Sequence, residues 1–74
     1  MIKTISNVED LVKQLIKRRK ELGISQAELA KLCDLSVNGI SKLESNLGER
    51  EVKLSTLFKL SHFLGFKLAL EFEE

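Results

Sequence analysis

Leu22-Gly23-Ile24-Ser25-Gln26-Ala27-Glu28-Leu29-Ala30, followed further on by Ile40-Ser41-Lys42-Leu43-Glu44, decides how this chain folds. Gly23 can take the left-handed backbone without a Cβ penalty, so it stops whatever helix precedes it. Ser25 and Glu28 have the spacing of a capping box and open a second helix just before Leu29, Ala30, Leu32 and Cys33. That helix is short and ends near Asp34. Ser36 then caps a third helix whose inward positions are Ile40 and Leu43. Ala30 falls where the two helices cross, and its small side chain lets them approach, while Leu35, Ile40 and Leu43 fill the wedge between them. Two short helices meeting at a tight corner around Asp34-Leu35-Ser36 match a helix-turn-helix, which presents the start of its second helix to base edges. A plain helical hairpin in a small bundle has the same apolar spacing, which does not choose between the two.

Outward from this corner, punctuation comes from glycine and capping residues, because the chain has four glycines and no proline. Ser6-Asn7-Val8-Glu9 reads as a capping box that opens a first helix. Val8, Leu11, Val12, Leu15, Ile16 and Leu22 recur at helical spacing, with Lys13, Lys17, Arg18 and Lys20 off the stripe. Residues 45–51 keep no steady period and read as a loop. A fourth helix is expected over about residues 54–64, with Leu54, Leu57, Phe58, Leu60, Phe63 and Leu64 as its apolar content and Gly65 as its stop. Beyond it the period becomes two. Phe66, Leu68, Leu70 and Phe72 alternate with Lys67, Ala69, Glu71 and Glu73, the pattern of a strand with one apolar face.

That strand has no convincing partner elsewhere in the chain, and an isolated strand leaves its backbone groups unpaired. A second copy related by a two-fold axis would pair it and cover its apolar face. Folding back onto residues 1–6 is the alternative. The expected architecture is therefore mainly α. It is a single domain over residues 1–74, with a helical core over 8–65 and a dimerisation strand over 66–72.

A chain of 74 residues buries only roughly 60–65% of its unfolded surface, so a second copy is a natural remedy for a marginal core. The formal net charge of +1 hides an uneven split. Residues 1–50 carry nine basic and seven acidic side chains, and residues 51–74 carry three and four. The acidic end, Glu71, Glu73 and Glu74, lies away from the helical corner in sequence. One cysteine and one histidine exclude an internal disulfide and, without other ligands, a structural zinc site. Cys33 falls on an inward position as a structural thiol. His62 has no carboxylate or cysteine at catalytic spacing, and no Gly-rich phosphate loop or nucleophile–base arrangement occurs. No enzyme activity, cofactor or small-molecule substrate is expected. Residues 1–6 lack the apolar stretch of a signal peptide, and no apolar run nears the roughly 20 residues of a membrane span. A reducing, cytoplasmic setting is the expectation.

The opening stretch, together with Leu57-Phe58-Lys59-Leu60-Ser61-His62-Phe63-Leu64-Gly65, closely resembles the Xre family, the helix-turn-helix domains of phage Cro/CI-type repressors. The resemblance spans residues 11–65 and implies a four-helix, lambda-repressor-like domain that binds DNA. The corner position usually held by glycine is Asp34 here, which tolerates the left-handed region better than most residues. The family's pattern implies that Gln26 caps the second helix and bonds a backbone phosphate, where helix dipole and free N–H groups favour an anion. Val37, Asn38, Ser41 and Lys42 face outward on the third helix. Asn38 can bond adenine through two atoms, Lys42 can donate to guanine or phosphate, and Val37 can touch a thymine methyl. Gly39 leaves room for a groove wall, at a helix cost of about 1 kcal/mol relative to alanine.

Ser36, Asn46 and Arg50 are candidates for flanking phosphate contacts, which set register rather than sequence choice. Arg19 aligns with the family arginine that pairs with the glutamate at Glu44, a structural tie between the first and third helices. Lys13, Lys17 and Lys20 supply general attraction at most, since most such runs are a solvated helix face.

Phage-type members end in a fifth helix, whereas this chain ends in the alternating segment. An Xre domain finished in that way resembles the HipB-type antitoxins. That resemblance implies a homodimeric repressor of a palindromic operator whose protein partner is a HipA-like kinase toxin. The first helix and the loop after the third are equal candidates for a toxin-facing surface. Two alternatives stay open: a phage or restriction-system regulator without a toxin, and a protein-interaction module that no longer binds DNA.

Overall fold

The computed structural model describes residues 1–73; Glu74, the last of the acidic tail residues, lies outside them. Four helices follow one another as α1 (Val8–Glu21), α2 (Gln26–Leu32), α3 (Val37–Glu44) and α4 (Leu54–Leu64). Each start except the last is fixed by a side-chain cap. Asn7, not Ser6, caps α1, accepting from the Asp10 N–H at 2.8 Å, while the Ser6 N–H donates to the Asp10 carboxylate at 3.3 Å. The expected box is thus replaced by an Asn7 side-chain cap, and Glu9 pairs with Lys13 at 3.0 Å instead of reaching back. Ser25 and Glu28 form the reciprocal box at α2, and Ser36 accepts from the Gly39 N–H at 2.9 Å at α3.

Three of the four stops use left-handed residues, Gly23, Asp34 and Gly65. Gly23 at φ 70° follows α1, and the Ile24 N–H folds back to the Arg19 carbonyl at 3.1 Å. The α2–α3 corner repeats that geometry with Asp34 at φ 55°, the one non-glycine residue with positive φ among the described residues. The Leu35 N–H bonds the Ala30 carbonyl at 2.8 Å and the Asp34 N–H reaches the Lys31 carbonyl at 3.4 Å, a Schellman closure. The glycine departure at Asp34 therefore leaves the corner intact.

Leu15, Leu29, Ala30, Cys33, Ile40, Leu57, Leu60 and Leu64 form the core, with Ile24, Leu35, Leu43, Phe63 and Phe66 packed around it. Cys33 is buried, and burial pushes its thiol pKa up while Lys59 pulls the other way. Leu22, Leu54 and Phe58 stay exposed despite their apolar spacing. On α4 the buried stripe is Leu57, Leu60 and Leu64, and Leu54 and Phe58 lie on a neighbouring face that nothing covers.

The strand expected over residues 66–72 is not formed in the single chain; no residue from 66 to 73 is in a ladder. Residues 1–6 are equally without regular structure, so the fold-back alternative is not adopted either. A strand needs an edge to pair with, and no segment among the described residues supplies one. Phe66 packs against the core, whereas Leu70 and Phe72 are 85% and 82% exposed.

Candidate nucleic-acid interface

Helix α3 is eight residues long, too short to hold itself in water, so its direction is imposed by neighbours. Ile40, 1% exposed, anchors it to the core from one side. Ser36 caps its start. A Cβ placed on Gly39 would meet the Ser36 Oγ at 3.0 Å, so glycine at this position protects the cap as well as leaving open space outside. On the outward side Ser36, Val37, Asn38, Ser41 and Lys42 are all exposed. The structure thus brings these five candidates together on one solvent-facing surface that runs from the cap of α3 to its last turn. The Ser36 hydroxyl accepts from Gly39 and keeps its own proton for a further acceptor.

The opposite end of α3 is locked to α1. Arg19 donates from Nε to Glu44 Oε2 at 2.6 Å and from Nη2 to Oε1 at 2.8 Å, a two-pronged pair whose side chains are only 11% and 10% exposed. Arg19 Nη1 also donates to the Ile24 carbonyl at 2.8 Å, which ties in the α1–α2 turn. Gln26 Nε2 adds a third donor to Glu44, at 3.0 Å. Burial alone would raise the Glu44 pKa. Hydrogen bonds from Arg19 and Gln26, with the charges of Arg19 and Lys20, outweigh it and hold the carboxyl below its ordinary value. The hydrogen bond to Glu44 raises the Arg19 pKa against its own desolvation.

Two of the sequence expectations change in this setting. Gln26 does not cap α2; Ser25 does, and Gln26 is the first helical residue, half-buried with its amide engaged by Glu44. One Gln26 amide proton and its carbonyl oxygen are outside that bond. Asn46 is 4% exposed and turned inward. Its Oδ1 accepts from the Gly48 and Arg50 N–H groups at 3.0 and 3.2 Å, and its Nδ2 donates to the Arg50 carbonyl at 2.9 Å. Its side chain folds the loop after α3 and is not presented to a phosphate. Arg50 itself is exposed.

Sequence reasoning also missed Arg18. Within the basic run it reads as surface charge, yet its Nε donates to the Leu64 carbonyl at 2.8 Å and so closes the end of α4. Only the fold brings α1 alongside that carbonyl, so no local spacing signals it. Open grooves flank α3 on both sides. One of about 330 Å³ is lined by Lys20, Gln26, Ser41 and Glu44 among others, and one of about 250 Å³ by Lys42, Arg50 and Lys53 with Glu51. Cationic side chains therefore border the exposed face of α3 on both flanks. Among the described residues no group of three potential metal ligands occurs, and no helix is long and apolar enough to cross a membrane.

A family model described as Helix-turn-helix matches residues 15–70, well over half of the chain. The chain belongs to the helix-turn-helix family. This Xre-type family consists of DNA-binding regulators and not enzymes. Solved structures agree with the assignment. The chain is 26% identical to a chain of a HipA-HipB-O2-O3 complex, covering 99% of this chain and 100% of that one at a TM-score of 0.82. A HipB-O4 20mer complex gives the same identity, coverage and TM-score. A complex of a serine-to-alanine variant of HipB with an O2 20mer gives 27% identity, full coverage of both chains and a TM-score of 0.83. No curated protein matches the chain.

Proposed function

We propose that this helix-turn-helix protein is a cytoplasmic, sequence-specific transcriptional repressor, the antitoxin of a HipA-like toxin–antitoxin operon, acting as a homodimer on a palindromic operator. The observation that carries the reading is the exposed outward face of α3. Val37, Asn38, Ser41 and Lys42 project from a helix whose far end is clamped by Arg19 and Glu44 and whose cap is Ser36. A clamped helix with a donor–acceptor amide in its first turn and a lysine in its last is a pre-set reader of base edges. Asn38 is the adenine reader and Lys42 the guanine or phosphate contact. Ser36 and the free Gln26 amide proton bond flanking phosphates, and Arg50 adds charge to the adjoining groove.

A net charge of +1 is too small for tight binding by one copy. Two copies related by a two-fold axis read half-sites about 34 Å apart, and pairing of residues 66–72 between copies supplies the dimer contact. Full-length coverage of chains from a HipA-HipB-O2-O3 complex and a HipB-O4 20mer complex supports the antitoxin reading over a regulator without a toxin.

The decisive measurement is fluorescence anisotropy on palindromic duplexes over a salt series. Affinity should fall steeply and linearly in log–log form, with a slope of about −0.9 per phosphate neutralised. A flat response, or equal affinity for scrambled duplex, overturns operator binding. Stable co-purification with a co-expressed kinase from the adjacent reading frame tests the toxin partner, and failure to associate leaves a plain regulator.

A further inference from the structure

Asn38-Gly39 is the one asparagine–glycine pair in the sequence, and it lies in the first turn of α3 with both residues exposed. Such a pair has a chemistry of its own. The backbone nitrogen that follows an asparagine can attack the side-chain carboxamide carbon, and a glycine leaves that nitrogen unhindered by a Cβ. The cap of α3 favours this pairing. A Cβ at Gly39 would meet Ser36 Oγ at 3.0 Å, so the serine cap selects the glycine that opens Asn38 to attack.

We propose that Asn38 is a self-modification site: its side-chain amide is lost by ring closure with the Gly39 nitrogen, at a rate that the Ser36 cap controls. The Gly39 nitrogen bonds to Asn38 Cγ and the Cγ–Nδ2 bond breaks. The Gly39 amide proton passes through solvent to the departing nitrogen, which leaves as ammonia. Water then opens the five-membered imide. Cleavage of the imide bond at Cγ leaves aspartate at position 38. Cleavage at the main-chain carbonyl carbon leaves isoaspartate, with one extra carbon in the backbone. Water is the sole co-reactant, and nothing is oxidised or reduced.

Helical backbone holds the Gly39 nitrogen away from the Asn38 side chain, so the ring closes only when the first turn opens. Ser36 holds that turn twice. Its hydroxyl accepts from the Gly39 N–H at 2.9 Å, and its carbonyl accepts from the Ile40 N–H at 3.1 Å. The Arg19–Glu44 clamp grips the other end of this eight-residue helix, and helix ends fray. The other two asparagines are poorer sites. Asn7 precedes β-branched Val8, and Asn46 precedes Leu47 and is buried with its amide bonded to the Arg50 carbonyl.

The consequence rests on the operator reading above. The Asn38 amide offers adenine a donor and an acceptor, whereas a carboxylate offers acceptors only and brings a negative charge towards the phosphates. An acidic residue suits the first turn of a helix, so the aspartate form stays folded while it stops reading adenine. Ageing thus silences the reader without unfolding it.

The test incubates wild-type, Ser36→Thr and Ser36→Ala at mildly alkaline pH and maps the tryptic peptide 32–42, whose only asparagine is Asn38, by mass spectrometry. Asn38 should lose its amide ahead of Asn7 and Asn46. Ser36→Ala should react about fivefold faster, the change in opening that a lost side-chain cap produces, and Ser36→Thr at close to the wild-type rate. Acceleration confined to Asn38, with buried Asn46 unchanged, separates opening of this turn from general unfolding. A wild-type Asn38 that stays intact while the free peptide 32–42 loses its amide overturns the site. Equal rates in wild-type and Ser36→Ala, or acceleration shared by Asn46, overturn control by the cap. Asn38→Asp tests the consequence, with an unchanged Tm and operator affinity at least about tenfold weaker expected. Wild-type affinity in that variant overturns the silencing and leaves the modification site standing. A wild-type chain that binds no duplex overturns the operator reading and the silencing with it, while the mass map still decides the site.

Discussion

Replacing Glu44 by alanine removes the acceptor for three donors at once: Arg19 Nε, Arg19 Nη2 and Gln26 Nε2, at 2.6, 2.8 and 3.0 Å. The Arg19 side chain is 11% exposed, so its charge stays largely buried without a counter-ion. Breaking one partner of a buried pair costs about 3–5 kcal/mol. The open groove beside Glu44 admits water to the orphaned guanidinium, which sets the expectation at the low end, about 3 kcal/mol. A domain of this size has roughly 4–11 kcal/mol in total, so the loss is a large share of it. At about 4–8 °C per kcal/mol, Tm should fall by roughly 12–24 °C.

The assay is thermal and urea unfolding by circular dichroism at one fixed protein concentration, because association would otherwise shift the midpoint. Arg19→Met and the Arg19→Met/Glu44→Leu double variant complete a double-mutant cycle. The double variant should recover most of the loss, since an apolar replacement leaves no buried charge unpaired. A Glu44→Ala cost below about 1 kcal/mol refutes the clamp.

The pH dependence carries a definite sign. Glu44 is held below its ordinary value of 4.5, so its contribution is complete above that value and is lost as pH falls through the depressed one. The raised Arg19 pKa keeps the guanidinium charged throughout that window. Wild-type should lose more stability on acidification than Glu44→Gln does. Parallel curves for the two proteins would remove Glu44 from the account.

Three further outcomes follow from the same geometry. Asn38→Ala should relax operator discrimination by about 1–3 kcal/mol at its base pair, while Lys42→Ala either does the same or lowers affinity uniformly; unchanged discrimination in both, by competition anisotropy, rejects α3 as the reader. Asp34→Gly should raise Tm, relieving the left-handed strain at φ 55°, and Asp34→Ala should lower it; a destabilised glycine variant contradicts the Schellman reading of the corner. Asn46→Ala should cost about 1–3 kcal/mol by freeing the loop's backbone groups, with salt dependence of DNA binding unchanged; a reduced salt slope at unaltered stability would return Asn46 to the phosphate contacts.

The helices were legible in the sequence because their ends are local events. Ser25 with Glu28, Ser36, Gly23 and Gly65 each satisfy or release backbone groups within a few residues, so residue type and spacing suffice. The outward face of α3 was legible for a related reason: Ile40 and Leu43 point inward, and helical period then dictates which neighbours cannot. Sequence reasoning failed where a side chain had two competing jobs. Asn46 is equally able to bond a phosphate and to fold its own loop, and only its burial at 4% shows that the loop has it. Arg18 sits in a basic run that looks like surface charge, and its carbonyl partner is 46 residues away. Leu54 and Phe58 have core residue types yet lie in solvent, because apolar spacing does not tell a stripe that the chain itself covers from one it leaves exposed.

That last distinction divides the molecule in two. Every group that orients α3 is satisfied within one chain: the Ser36 cap, buried Ile40, the Schellman corner at Asp34 and the three-donor clamp on Glu44. Helix α3 is therefore pre-organised within one chain, so the proposed contact with base edges would cost little further ordering of the backbone. Residues 66–73 are the reverse case. Beyond the Phe66 N–H, which bonds the Ser61 carbonyl at 3.3 Å, their backbone groups join no ladder, and Leu70 and Phe72 lie in solvent, so the proposed pairing with a second copy would have to order them. On the proposed dimer reading, a rigid reader with weak single-site charge, joined to a contact that forms only on association, would make operator affinity depend on protein concentration twice over. Substitutions at Phe72 should consequently weaken operator binding while leaving the base preference of each half-site intact. Substitutions at Asn38 should alter the preference while leaving the dimer intact.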